Sequence, residues 1–102
     1  MEHPKSCVYI LYSLKDNQFY IGYTTDFNRR MEEHHQGRSK STAYRRPFIV
    51  LMCEYFFDDK DARQREDYFK TTAGKRTLRI MLFNSLRRIN YPGLEGFDDR
   101  VM

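Results

Sequence analysis

The sequence predicts an α+β domain: a small three-stranded, mainly antiparallel sheet flanked by helices, in the order ββαβαα. Three observations lead there. Residues 7–13 and 19–23 are β-branched and aromatic runs split by a polar turn, the pattern of a hairpin. Residues 48–57 form a third, longer apolar run. Between and after these runs, apolar residues recur at helical spacing behind residues that cap helices. That alternation of strands and helices is the pattern of an α+β architecture.

The elements follow in order. In the turn, Lys15-Asp16-Asn17 supplies side chains that bond their own backbone. Gly22 lies inside the second strand, where a glycine marks a bulge or the close approach of another group. Thr25 or Asp26 caps a first helix that carries Phe27, Met31 and His34 or His35 at helical spacing and stops at Gly37. The polar, basic stretch up to Pro47 reads as a loop, and the run 48–57 as the central strand. Asp58 or Asp59 caps a second helix whose Ala62, Arg65, Glu66 and Phe69 share one face. Thr72-Ala73-Gly74 ends it. A third helix over 76–89 turns Leu78, Met81, Leu82, Ser85, Leu86 and Ile89 inward. One domain is expected over residues 1–90, with an irregular tail over 91–102 that contains Pro92, Gly93 and Gly96.

Composition narrows the function classes. An apolar fraction of 40% in 102 residues supports a modest core and argues against disorder. No apolar run is long enough for a membrane span, and the first residues lack a signal-peptide pattern, so the cytoplasm is the expected compartment. Cys7 and Cys53 are expected as buried free thiols, with no zinc-ligand spacing around them. The net charge is +4, and it is unevenly spread. Residues 37–50 hold four cations and no acid, and residues 69–90 hold six and no acid. Segregated positive charge points to a polyanion as partner.

The tripeptide Val8-Tyr9-Ile10 is followed by Tyr20-Ile21-Gly22, then by Arg30 ten residues after Tyr20, by His34 one helical turn later, and by Glu66 within ARQREDYFK. In this order and spacing the chain resembles the GIY-YIG nuclease superfamily. It is most similar to the small single-domain bacterial members, and to the catalytic domains of the excinuclease subunit and of homing endonucleases. Valine stands where the family has its first glycine, and Tyr23 stands where some repair enzymes have lysine. The resemblance spans about residues 7–82. It implies the GIY-YIG fold and a metal-dependent endonuclease. It also implies that Tyr9 or Tyr20 helps deprotonate water, that Arg30 and His34 serve the phosphate, and that Glu66 is the metal ligand.

The chemistry of these residue types is compatible with those roles. A phenol titrates near ~10 and serves as a base only where its surroundings lower that value. A guanidinium offers a planar fork to a phosphate whose charge is growing. Imidazole titrates near neutrality, so His34 can hold a phosphate or relay a proton. Arg29 points about 100° away from Arg30 and reads as a solvated or phosphate-steering side chain. A lone carboxylate at Glu66 suits one Mg²⁺ (or Mn²⁺) ion completed by water and phosphate oxygens. In the loop, Lys40, Arg45 and Arg46 can neutralise phosphates and Tyr44 can stack on a base, with Lys70 a further candidate. No base-reading pattern is present, so the expected partner is nucleic acid, DNA rather than RNA, with little sequence specificity. Two alternatives stay open at this point: a non-catalytic nucleic-acid-binding module of the same fold, and an interaction domain that uses the C-terminal tail.

Overall fold

A computed structural model describes residues 1–94, and the remainder of the expected tail, 95–102, lies outside the described residues. Strands β1 (Ser6–Ser13), β2 (Phe19–Thr24) and β3 (Phe48–Phe56) form one antiparallel sheet in the order β2-β1-β3. Helix α1 (Phe27–Gln36) lies between β2 and β3 in the chain. Helices α2 (Asp59–Phe69), α3 (Thr72–Met81) and α4 (Phe83–Arg88) follow β3. The α+β class and the order of elements agree with the sequence reading. Among the described residues, no helix is long and apolar enough to cross a membrane.

The central strand is β1, not β3. Every residue of β1 is buried, because the strand is paired on both sides and covered on both faces. Strand β3 is apolar along its length yet stands at an edge, with Val50, Cys53 and Tyr55 exposed. Cys53 is therefore not buried as expected, although both cysteines are free. The apolar run marked a strand, but the position of that strand depended on which neighbour paired with it.

Two cores form on the two faces of β1, as alternation along a strand requires. Val8 and Ile10 pack with Ile21, Ala62, Phe69, Leu78, Leu82 and Leu86 on one side. Cys7, Tyr9 and Leu11 pack with Tyr20, Phe27, Met31 and Phe48 on the other. The α2–α4 layer thus covers one face, and α1 covers the other.

Gly74 does not end a helix but lies inside α3, where a Cβ would stand 1.8 Å from the Tyr68 carbonyl oxygen. The glycine lets α3 pack hard against the end of α2, and Thr71 caps α3 by accepting from the Gly74 N–H at 2.9 Å. The expected third helix is divided at Leu82. Side chains at i, i+4 and i+8 drift by about 80° around an unbroken helix. With the break, Leu78, Leu82 and Leu86 are all buried, while Met81 turns outward. The chain also stays on the core past residue 90. Tyr91 stacks on Phe19 with ring centroids 5.3 Å apart, and Leu94 packs beside it.

Candidate active site

The centre of the site is Tyr9, in the middle of β1 and directly opposite Gly22 of β2. The Tyr9 ring occupies the space above Gly22, so that a Cβ there would lie 2.3 Å from Tyr9 Cζ. The close approach anticipated at this glycine is thus made by the phenol of the neighbouring strand. Tyr20, two residues before Gly22, faces the same side, with its ring centroid 6.3 Å from that of Tyr9.

Helix α1 brings in the next two residues. Asp26 caps its start, accepting from the Arg29 N–H at 3.2 Å, and Gly37 ends it at φ 77°. The left-handed geometry at Gly37 is one that glycine adopts without strain. Arg30 and His34 stand one turn apart on the face turned to the sheet. Arg30 donates from Nε to the Tyr9 hydroxyl at 3.3 Å, and His34 Nε2 bonds the same hydroxyl at 2.8 Å. His34 Nδ1 meets Thr42 Oγ1 at 2.7 Å. The result is a chain of hydrogen bonds, Arg30–Tyr9–His34–Thr42. Its last three members are sealed from solvent, with Tyr9 1%, His34 2% and Thr42 0% exposed.

Burial sets the protonation states. It pushes the Tyr9 phenol up to about 12, against the lowering effect of the Arg30 hydrogen bond. It pushes His34 down to about 4, helped by the positive charge of Arg30. At neutral pH the buried pair is therefore an uncharged phenol and an uncharged imidazole. Burial also works against charge on Arg30, but hydrogen bonds to Tyr9, Glu33 and Tyr20 outweigh it and hold its pKa above the usual value. Arg30 further donates to Glu33 at 3.1 Å and to Ser39 at 3.3 Å, and its guanidinium stays partly exposed.

Glu66 approaches from α2, the layer on the opposite face of the sheet. Its side chain is 17% exposed, and its negative charge is the smallest of the contributions that raise the Tyr9 phenol. Its Oε2 accepts from Lys70 Nζ at 3.0 Å, so the carboxylate already attracts a cation. Among the described residues, no group of three or more His, Cys, Asp and Glu gathers around it or elsewhere. Such a donor set, one hard oxygen ligand with access to solvent, fits Mg²⁺ or Mn²⁺ that retains most of its water. It does not fit zinc, which takes several protein ligands.

The side chains expected to meet phosphates divide into two groups. Arg29, Lys40 and Tyr44 are exposed. Arg45 instead turns inward to the hairpin. Its Nε pairs with Asp16 at 2.6 Å, and its Nη2 donates to the carbonyls of Gln18 and Phe19. Arg46 donates to the carbonyls of Ala43 and His35, tying the loop to the end of α1. Lys70 is held by Glu66. The partners of Arg45 and Arg46 are distant carbonyls and a distant carboxylate that leave no trace in the sequence, whereas Glu66 stands at the i,i+4 spacing from Lys70.

The sequence reading passed over Thr42 and Ser39, both buried. They lie in a stretch without apolar period, and their contacts with α1 exist only because the loop folds back on the helix. Nothing in their spacing marks them.

Comparison with known proteins identifies the family. Residues 5–79 match the family model for the GIY-YIG catalytic domain. The chain is 40% identical over 63 residues to the UPF0213 protein YazA of Bacillus subtilis, covering 61% of this chain. That match spans 64% of YazA, less than two thirds of its length. A UPF0213 protein of Staphylococcus haemolyticus is 36% identical over 78 residues, covering 76% of this chain and 94% of its own. The solution NMR structure of a UPF0213 protein from Bacillus halodurans is 36% identical, with a TM-score of 0.46, covering 72% of this chain and 80% of its own.

Proposed function

The chain belongs to the GIY-YIG catalytic domain family, a family of nucleases, and from that premise we propose that it is a metal-dependent endonuclease that hydrolyses phosphodiester bonds. The expected substrate is DNA rather than RNA, cut with little sequence preference. The observation that carries the reading is the shared hydroxyl of Tyr9, which joins Arg30 and His34 of α1 to the sheet.

The roles follow from accessibility and charge. Tyr20 is half-buried and lies against the Arg30 guanidinium, so it is the phenol that can meet an attacking water. Tyr9 is sealed in and held protonated, which suits it to positioning Arg30 rather than to taking a proton. Arg30 remains charged and partly exposed, and its fork stabilises the phosphate as charge develops. His34, neutral and buried, acts through Tyr9 and not on the phosphate. Glu66 would hold a single Mg²⁺ or Mn²⁺, which would neutralise charge at the leaving oxygen. Arg29, Lys40 and Tyr44 supply contacts to the strand, while Arg45 and Arg46 support the loop that carries Lys40 and Tyr44.

The test is a panel of DNA and RNA substrates incubated with Mg²⁺ or Mn²⁺, with EDTA as control. Wild type cuts, and EDTA stops it. Glu66→Ala and Glu66→Gln lose at least about 100-fold in rate while keeping the melting curve and salt-dependent binding. Full cleavage by Glu66→Ala would remove Glu66 from the mechanism. Salt-sensitive binding by wild type without any cleavage would make the domain a binding module instead.

A further inference from the structure

We propose that Thr42 is a positioning residue: by accepting the Nδ1–H of His34 it fixes the imidazole tautomer, and through Tyr9 it fixes the direction of the Arg30 guanidinium. The consequence for cleavage rests on the nuclease reading above, but the tautomer itself does not.

An inventory of donors assigns the tautomer. Arginine can only donate, so the Tyr9 oxygen accepts at Arg30 Nε. The Tyr9 hydroxyl proton must then go elsewhere, and the other group on that oxygen is His34 Nε2 at 2.8 Å. Nε2 therefore accepts. A neutral imidazole carries one proton, so it sits on Nδ1 and is donated to Thr42 Oγ1 at 2.7 Å. No member of the chain lacks a partner, and no buried side-chain nitrogen or oxygen among the described residues does either.

Reversing the tautomer breaks the arrangement at its other end. An Nε2–H would donate to the Tyr9 oxygen in competition with Arg30 and leave the phenol proton unplaced, while the Thr42 hydroxyl donated to Nδ1. Either tautomer leaves one hydroxyl proton without an acceptor inside the chain, and the phenol, much the stronger acid of the two, is the donor that keeps its bond. Thr42 can impose this because the loop is anchored before it, where Ser39 Oγ accepts from Arg30 at 3.3 Å, and after it. Arg45 ties it to the hairpin turn and Arg46 ties it to α1. A hydroxyl on a loose loop could not select a tautomer.

The deciding measurement is the ¹⁵N NMR signature of the His34 ring near neutral pH in three proteins. Wild type and Thr42→Ser are expected to show the Nδ1–H form. Thr42→Val, which keeps the shape and removes the hydroxyl, is expected to shift to Nε2–H or to a mixture. Cleavage by Thr42→Val is expected to fall on the order of 10- to 100-fold in kcat with KM little changed, and Thr42→Ser restores most of it. An Nε2–H tautomer in wild type, or an unchanged Nδ1–H tautomer in Thr42→Val, overturns the proposal. The wild-type spectrum decides the tautomer even if Thr42→Val does not fold. A correct tautomer in a protein that cuts nothing would leave the proposal standing and remove the nuclease reading alone.

Discussion

Tyr9 and Gly22 face each other across the β1–β2 ladder, and the phenol ring fills the volume in which a side chain at position 22 would stand. The hydroxyl reaches Arg30 and His34 only because that volume is empty. Gly22→Ala is expected to force the ring aside, with an overpacking cost of about 1–3 kcal/mol. The phenol would leave its two partners, and cleavage would fall by about 100-fold. Chemical denaturation and a cleavage assay on one preparation check both effects.

The two tyrosines are expected to respond in opposite ways to loss of the hydroxyl. Tyr9→Phe leaves Arg30 Nε and His34 Nε2 without their shared partner, a cost of about 1–3 kcal/mol in stability. Tyr20→Phe, at a half-buried site, costs under about 1 kcal/mol yet removes the water-facing phenol. A larger drop in kcat for Tyr20→Phe than for Tyr9→Phe, with the reverse order in urea midpoints, supports the division of roles. The opposite order would make Tyr9 the base.

Acid should weaken the fold through His34. Its folded pKa, about 4, lies below its ordinary value of 6.5. Between those two values the unfolded chain binds a proton that the folded chain refuses, so stability falls as pH drops through that window. Above 6.5 the contribution is fully present. The loss amounts to roughly 3 kcal/mol once both values are passed. Urea unfolding at pH 7 and pH 4.5 should show a steeper loss for wild type than for His34→Gln, which has no imidazole to protonate.

The two groups of cations should separate in binding. Arg29→Ala and Lys40→Ala are each expected to reduce the salt dependence of DNA binding by about one unit of log–log slope, without change in melting. Arg45→Ala is expected to leave that slope alone and to lower stability by about 1 kcal/mol or more, since it releases Asp16 and two hairpin carbonyls. Binding isotherms at four or five salt concentrations distinguish the outcomes.

Much of the fold was legible because local chemistry decides it. Gly37 ends α1 as expected, and of the paired candidates Thr25 or Asp26 and Asp58 or Asp59 it is Asp26 and Asp58 that cap α1 and α2. The hairpin is closed by its own turn residues, with Asp16 and Ser13 accepting from the turn backbone. Tyr9, Arg30 and His34 are the residues that the resemblance to the GIY-YIG superfamily implies, and the structure draws them together. Glu66 was named the same way, and only its charge on Tyr9 relates it to them. Harder to read was the difference between an apolar strand covered twice and one covered once. Strand β3 looked central from its composition, and it lies at an edge.

By itself the sequence determined what period and capping can determine: the order of elements, the ends of α1 and the start of α2, while the candidate groups of the site came from the family resemblance. Only the tertiary structure decided how those groups are wired. Long-range packing buries Tyr9 and His34, and that burial, with the Arg30 charge beside His34, holds both neutral across a wider pH range. The return of the loop onto α1 supplies Thr42 and Ser39 and diverts Arg45 and Arg46 to carbonyls. A hydrogen bond between distant residues leaves no period in the chain. It depends on which surfaces meet, and that is settled by the packing of the whole domain.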